Sequence, residues 1–338
     1  MRKKIISICA LFAVAVVVMV FCAYRAFYGS AVAERFTVTI DGSQSYNEQV
    51  EEIKANISHN IAFALYARRI NITRGIEGGR YTFDTGMSVI EVARRLKFGN
   101  DGAVRLTINN ARTPEILAGK IAAQIDADSV AVVEALRSKE LLAELGYESG
   151  EALMSIFLPN TYEVYANITP EALIKRMKRE SEKFWAQSKR QQQLARLGLT
   201  SYEVMTLASI VHEETSYSGE MSRVAGVYVN RLRKGMPLQA DPTVKYAVGD
   251  PGLKRILYKH LEVESPYNTY QHVGLPPTPI CMPDMEVINA VLDYEEHKYY
   301  YFCACPEMDG KHNFARTHSE HERNAQAYHR ALSKMKIR

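Results

Sequence analysis

Residues 207–243 read LASIVHEETSYSGEMSRVAGVYVNRLRKGMPLQADPT and predict two consecutive helices. The first opens at Thr200-Ser201-Tyr202-Glu203, a capping box whose hydroxyl and carboxylate satisfy backbone N–H groups at the helix start. The second is expected over residues 220–234, where a basic last turn complements the helix dipole and Gly235 ends the helix. Its apolar face consists of Met221, Val224, Ala225, Tyr228 and Leu232. Two amphipathic helices in succession indicate the centre of a packed domain.

Glu214 lies on the apolar side of the first helix. It follows Val211 by three residues and Leu207 by seven, so it continues the apolar stripe. That stripe consists of Val204, Leu207, Ala208, Ile210 and Val211. The polar side is expected to carry Thr206, Ser209 and Glu213. Desolvation raises the pKa of a carboxyl group in an apolar environment, and a carboxyl protonated near neutral pH can act as a general acid. We therefore expect Glu214 to be catalytic.

An apolar run near the N-terminus predicts a membrane span. Residues 5–24 form an uncharged run of about the length needed to cross a bilayer. Residues 1–4 contain three basic side chains and Arg25 alone follows the run, so the N-terminus is expected in the cytoplasm. A cleaved signal peptide is the alternative, but the run is long for one and no small-residue cleavage site follows it. We expect a single-pass protein whose main part lies outside the cytoplasm.

Composition indicates a folded ectodomain. The chain has 338 residues, of which 47% are hydrophobic and 24% charged, enough for one or two cores. The net charge is +4 without a block of five like charges, so no nucleic-acid partner is expected. Three cysteines lie beyond the apolar run, Cys281, Cys303 and Cys305. Buried free thiols and a disulfide from Cys281 to one of the others both remain open.

The fold class is predicted as α+β, with a membrane-proximal region at 33–155 and a catalytic domain at 156–338. In the first region, GRYTF at 79–83 reads as a strand, residues 89–98 as a helix and residues 104–108 as a strand. This unit, at about 78–110, resembles a small LysM-like glycan-binding module. An ordinary α+β unit is the alternative reading.

The stretches after the second helix predict a cleft for a polysaccharide. QADPT at 239–243, SPYNTY at 265–270 and GLPP at 274–277 are rich in proline, which fixes the shape of a loop. They combine tyrosine rings with amide and hydroxyl groups. Rings cover the C–H faces of sugars while the polar groups bind their hydroxyls.

Several motifs together resemble the endolytic murein transglycosylases of the MltG type, the YceG-like family. They are LASIVHEET at 207–215, VAGVYVNRLRKGMPLQADPTVKYAVG at 224–249, SPYNTYQHVGLPPTPI at 265–280 and HNFARTHSEH at 312–321. FLPNTYEVY at 157–165 and GRYTFDTGMSVIEVARRLKFG at 79–99 also fit. The family's catalytic segment resembles SIVEKET, whose two glutamates fall on His212 and Glu214. The retained position is Glu214, which also occupies the apolar stripe.

The resemblance implies a lyase that acts on peptidoglycan strands without a metal or another cofactor. Glu214 would protonate the oxygen that leaves muramic acid C1 and then accept the proton of the C6 hydroxyl, which closes a 1,6-anhydro ring. Such an enzyme would end the elongation of nascent strands. It would sit in the bacterial inner (cytoplasmic) membrane with a periplasmic catalytic domain, near penicillin-binding synthases.

Six residues are expected to line the cleft: Gln239, Asp241, Tyr267, Asn268, Thr269 and Tyr270. For Asp241, an Asx turn before Pro242 is the alternative. Asn313 and Thr317 are further candidates for the cleft wall.

Three rival functions stay open. A hydrolase would pair Glu214 with Asp241 or Glu213, because ordinary glycosidases use two carboxyl groups. A metallopeptidase would use residues 212–214 with 318–321, yet HEET lacks the second histidine of a zinc-binding helix. A non-catalytic scaffold would bind murein and leave it uncut.

Overall fold

Helices dominate the part of the chain that the computed structural model describes, residues 2–40, 45–99, 103–250, 253 and 255–334. The α-helices are α1 Arg2–Tyr28, α2 Tyr46–Asn56, α3 Asn60–Arg69, α4 Val89–Phe98, α5 Pro114–Ala122, α6 Ser129–Arg137, α7 Lys139–Leu145, α8 Gly150–Leu153, α9 Pro170–Trp185, α10 Ser188–Leu197, α11 Ser201–Glu214, α12 Ser218–Lys234, α13 Asp241–Val248, α14 Met285–Leu292 and α15 His318–Lys334. The strands are β1 Phe36–Ile40, β2 Gly79–Phe83, β3 Ala103–Ile108, β4 Asn160–Tyr165, β5 Tyr301–Ala304 and β6 His312–Ala315. They form three two-stranded sheets, β1–β2, β3–β4 and β5–β6. The predicted mixed α+β class is confirmed.

The chain divides into two compact units that are discontinuous in sequence. The N-terminal unit comprises Met1–Leu106, Ile121–Val132 and Tyr162–Ile174. The C-terminal unit comprises Thr107–Lys120, Val133–Thr161 and Lys175–Arg338. The boundary predicted at residue 155 falls inside a segment of the C-terminal unit.

The N-terminal helix α1 carries an apolar segment, Leu11–Tyr28, most of whose side chains are exposed. This segment has the length and composition to cross a bilayer, and no other helix in the described ranges does. The predicted span at 5–24 lies within α1, so an N-terminal apolar helix is confirmed. Of the predicted tail at 1–4, Met1 lies outside the described residues and the other three belong to α1.

The core of the N-terminal unit forms between the β1–β2 sheet and helices α2–α4. β1 and β2 are antiparallel, with Phe36 opposite Phe83. α4 begins at a capping box in which the Glu91 carboxylate accepts bonds from the Ser88 backbone and hydroxyl. The strand, helix and strand predicted for the LysM-like module are present. The two strands pair with different partners, β2 with β1 and β3 with β4, so a separate module at 78–110 is not confirmed.

In the C-terminal unit α11 packs against α12, α13 and α14. The capping box of Thr200 and Glu203 is present, and every side chain from 204 to 211 is buried. The prediction of a polar side for Thr206 and Ser209 is therefore wrong, because neighbouring elements enclose that side as well. Their hydroxyls donate to backbone carbonyls one turn earlier, and Ser209 Oγ also accepts a bond from Ile280 N. Hydrogen bonding removes the cost of burying both groups.

Close packing brings α12 and the segment between α14 and β5 together. Gly226 on α12 lies where a Cβ atom would come within 2.4 Å of the Glu295 carbonyl oxygen, so only glycine permits this approach. Cys281, Cys303 and Cys305 are free thiols.

Candidate active site

A cavity of about 420 Å³ in the C-terminal unit contains Glu214. Its wall is built from the end of α11, the side of α12, the loop at 238–241, Tyr270, the β5–β6 hairpin and the start of α15. The lining residues are Glu214, Tyr228, Arg231, Leu238, Gln239, Asp241, Tyr270, Tyr301, Phe302, Cys303, Ala304, His312, His318 and His321. The cavity is therefore lined by polar and aromatic side chains.

Glu214 is the last residue of α11 and is half-buried at the cavity wall. Burial raises the pKa of its carboxyl group to about 7, and the charge of Asp241 acts in the same direction. The C-terminal end of a helix also disfavours a carboxylate, because it carries partial negative charge. The hydroxyl of Tyr228 opposes these effects by donating to Glu214 Oε1 over 2.6 Å. Glu214 can thus lose and regain a proton near neutral pH.

A second carboxyl group, that of Asp241, lies in the same cavity. Asp241 is the first residue of α13, and its Oδ1 accepts a 2.6 Å bond from the Tyr270 hydroxyl. Burial and this bond raise the pKa of Tyr270, so it remains a neutral donor. The structure brings three of the predicted cleft residues to the wall: Gln239, Asp241 and Tyr270.

The other three predicted cleft residues lie outside that wall. Asn268 is fully buried and donates to the carbonyls of Leu261 and Val263. The buried Thr269 hydroxyl accepts a bond from Ala240 N. The hydroxyl of Tyr267 pairs with that of Thr278. These groups shape the loop that carries Tyr270, so their polarity serves the backbone.

Arg231 organises the loop beside Glu214. It belongs to the basic last turn that the sequence predicts for α12, but its side chain is buried. Its Nε donates to Tyr300 O, and its Nη1 donates to Leu238 O and to Gln239 Oε1. Gln239 adopts a left-handed backbone conformation with φ of 51°. The guanidinium therefore holds an unusual turn in place and adds a positive charge near Glu214.

Another part of the cavity wall was not predicted from the sequence as part of the cleft. It consists of β5 residues 301–304 with three histidines, His312, His318 and His321. The rings of Tyr301 and His321 stack with centroids 5.4 Å apart. Desolvation lowers the pKa of His321, so its ring is neutral. The motif HNFARTHSEH marks this region, but Asn313 and Thr317, its predicted cleft residues, are outside the lining.

The two residues before Glu214 face a different environment. Glu213 forms an ion pair with Arg112, and His212 Nε2 is bonded to the amide of Asn110. Ligand atoms of His212, Glu213 and Cys281 lie within 4.8 Å of one another, the one group in the described ranges with spacing for a metal ion. However, burial raises the pKa of the Cys281 thiol, which disfavours the thiolate that would bind a metal. The Glu213 carboxylate is already paired with Arg112, which also disfavours metal binding.

The cavity brings a carboxyl group of raised pKa together with tyrosine, histidine and amide side chains, an arrangement typical of enzymes that use acid–base chemistry. The YceG-like family model matches residues 38–327, and the chain belongs to the YceG-like family.

Relatives and a solved structure agree with this assignment. Over 308 residues the chain is 28% identical to the endolytic murein transglycosylase of Bacillus subtilis strain 168, covering 86% of this chain and 84% of that protein. It is 27% identical to the enzyme of the same name from Streptococcus pneumoniae strain D39, covering 79% of this chain and 53% of that protein. The crystal structure of a yceG-like protein from Listeria monocytogenes superposes with a TM-score of 0.55 at 26% identity, covering 86% of this chain and 98% of that chain.

Proposed function

We propose that this chain is an endolytic murein transglycosylase, a lyase that cuts the bond between N-acetylmuramic acid and N-acetylglucosamine within peptidoglycan strands. The observation that carries the proposal is Glu214, whose pKa of about 7 and bond to Tyr228 suit a group that gives and takes one proton. The printed names of the relatives point to the same reaction.

The reaction needs one carboxyl group. Protonated Glu214 donates its proton to the bridging oxygen while the bond between that oxygen and muramic C1 breaks. The carboxylate so formed stabilises the positive charge on the sugar ring and accepts the proton of the C6 hydroxyl. The C6 oxygen bonds to C1, and a 1,6-anhydro ring closes without water.

Asp241 distinguishes this lyase from the hydrolase alternative. A hydrolase needs a second carboxylate as nucleophile or base. Glu213 is engaged by Arg112 outside the cavity lining, which leaves Asp241 as the candidate partner. Since Tyr270 already donates to Asp241 Oδ1, we assign Asp241 to raising the Glu214 pKa and to binding substrate hydroxyls with Gln239 and Tyr270.

The helix α1 supports a place at the membrane. Its apolar segment is compatible with a single-pass anchor, and we propose a cytoplasmic N-terminus and a periplasmic catalytic domain. There the enzyme would end the elongation of nascent strands beside penicillin-binding synthases. The elements near 78–110 would add glycan affinity as a LysM-like module.

Digestion of purified peptidoglycan by the detergent-solubilised full chain tests the proposal. We expect anhydromuramyl ends, which differ from hydrolytic ends by the mass of one water. Glu214→Gln should abolish them, whereas Glu213→Gln, the matched control on the same helix turn, should retain them. Reducing ends would establish a hydrolase instead. Bound but uncut murein with the native chain would establish a scaffold.

A further inference from the structure

The N-terminal unit presents an apolar helix face to its surroundings. On α3, Phe63 and Ala67 are buried in the core, whereas Ile61 and Leu65 are 80% and 57% exposed. Residues four apart share one side of a helix, so these two side chains form a single patch. A surface helix normally carries polar residues there, and an apolar outer face marks an interaction site.

A cavity connects this face of α3 to the end of α1. Its volume is about 760 Å³, and its wall includes Tyr28 of α1, Leu65, Tyr66 and Arg69 of α3, and Arg94 of α4. The patch is therefore continuous with the helix that has the composition of a membrane span.

Aromatic residues on α1 set the level of the cavity relative to a bilayer. The rings of Tyr24 and Tyr28 stack with centroids 5.0 Å apart, and both are exposed. Exposed tyrosines at the end of an apolar helix occupy the interface between hydrocarbon and water. Because Tyr28 also lines the cavity, the cavity lies at the depth of the lipid headgroups when α1 spans the membrane.

The charge of the cavity suits an anion. Arg69 and Arg94 are both exposed and line it. The acid in the same wall, Glu91, already accepts two bonds from Ser88 in the α4 cap. Arginine binds phosphate oxygens through paired N–H groups, so the two guanidinium groups fit a phosphodiester.

We propose that α3 and this cavity form a membrane-docking surface for an anionic phospholipid. The headgroup phosphate binds between Arg69 and Arg94, and Ile61 and Leu65 enter the acyl region, as the apolar face of an interfacial helix does. The inference rests on the membrane anchorage proposed above. Docking would hold the N-terminal unit against the bilayer and restrict the freedom of the unit relative to the span.

Quenching of tryptophan fluorescence by lipids brominated on the acyl chain tests this surface. The chain has one tryptophan, Trp185, so Leu65→Trp in a Trp185→Phe background reports from α3 alone. The full chain is reconstituted in nanodiscs of phosphatidylglycerol and phosphatidylcholine at varied ratio. Val130→Trp in the same background is the matched control, because Val130 is 58% exposed in the same unit but belongs to α6.

We expect strong quenching at position 65 that grows with the anionic lipid fraction, and little at position 130. Arg69→Gln should raise the anionic fraction needed for half-maximal quenching about fivefold, whereas Arg74→Gln, an exposed arginine outside the cavity, should not. Equal quenching at 65 and 130, or no dependence on lipid charge, would overturn the proposal. Failure of the native chain to enter nanodiscs would instead refute the membrane anchorage.

Discussion

Replacing Tyr228 by phenylalanine is expected to move the alkaline limit of activity upward and to lower the maximal rate. The Tyr228 hydroxyl donates to Glu214 Oε1 over 2.6 Å, which stabilises the ionised carboxylate and lowers the pKa of Glu214. A general acid works in its protonated form. Native activity should therefore be full below pH 7 and fall as the pH rises through the Glu214 pKa of about 7.

The size of the change follows from the bond that is lost. A hydrogen bond to a charged group contributes about 1.5–3 kcal/mol, which corresponds to about one to two pH units. The alkaline limb of the Tyr228→Phe pH profile should therefore move to higher pH by that amount. The same bond stabilises the carboxylate that forms when the proton leaves, so the maximal rate should fall about tenfold or more.

The assay is kcat/KM on purified glycan strands from about pH 5 to 10, with anhydromuramyl ends counted by mass spectrometry. Tyr267→Phe is the matched control, because its hydroxyl pairs with Thr278 away from the cavity lining. Its pH profile should match the native one. A folded Tyr228→Phe chain whose alkaline limb stays in place or moves downward would refute the role given to this bond.

Three further changes have expected outcomes. Glu214→Gln should stabilise the folded chain at pH 8 by about 1–2 kcal/mol and have little effect at pH 4. The pKa of the Glu214 carboxyl is raised from 4.5 to about 7, so the native protein loses stability as the pH rises through that range. Measurement of Tm at both pH values checks this. Gly226→Ala should cost about 1–3 kcal/mol in urea unfolding, since its Cβ would lie 2.4 Å from Glu295 O, whereas Gly119→Ala has open space and should be neutral or stabilising. Arg231→Lys should reduce kcat/KM about tenfold, because a lysine cannot replace a guanidinium that donates to several acceptors at once. An unchanged kcat/KM would show that the loop at 238–241 holds its shape without the guanidinium.

Sequence periodicity was sufficient to single out Glu214, which lines the cavity, but not to predict the whole cavity. The side of α11 on which Glu214 lies follows from helix geometry. Once the capping box fixes the start of the helix, the helical period fixes the side to which each later side chain points. The roles of Asn268 and Thr269 could not be inferred in this way. Amide and hydroxyl groups serve a ligand or a buried backbone equally well, and only the fold shows that Ala240 N and the carbonyls of Leu261 and Val263 need them.

The part of the cavity wall formed by β5 and α15 was not predicted for a different reason. It depends on contacts between segments far apart in sequence, because β5 packs against α12 and α15 packs against β5. Tyr228 illustrates the difficulty. It lies on an apolar stripe and is fully buried, so its ring reads as core. The contact of its hydroxyl with Glu214 needs the packing angle of two helices, which the residue pattern alone does not specify.

His212 explains how this chain tolerates a change in its most distinctive motif. The resemblance places one of two family glutamates at His212, so loss of that carboxyl would matter if it acted on substrate. His212 instead bonds to Asn110 and lies outside the cavity lining, whereas Glu214 lies in it. A helix turns about 100° per residue, so residues two apart point to nearly opposite sides. A histidine at position 212 therefore affects a contact between segments and leaves the cavity lining unchanged, which is consistent with the proposed reaction that uses one carboxyl.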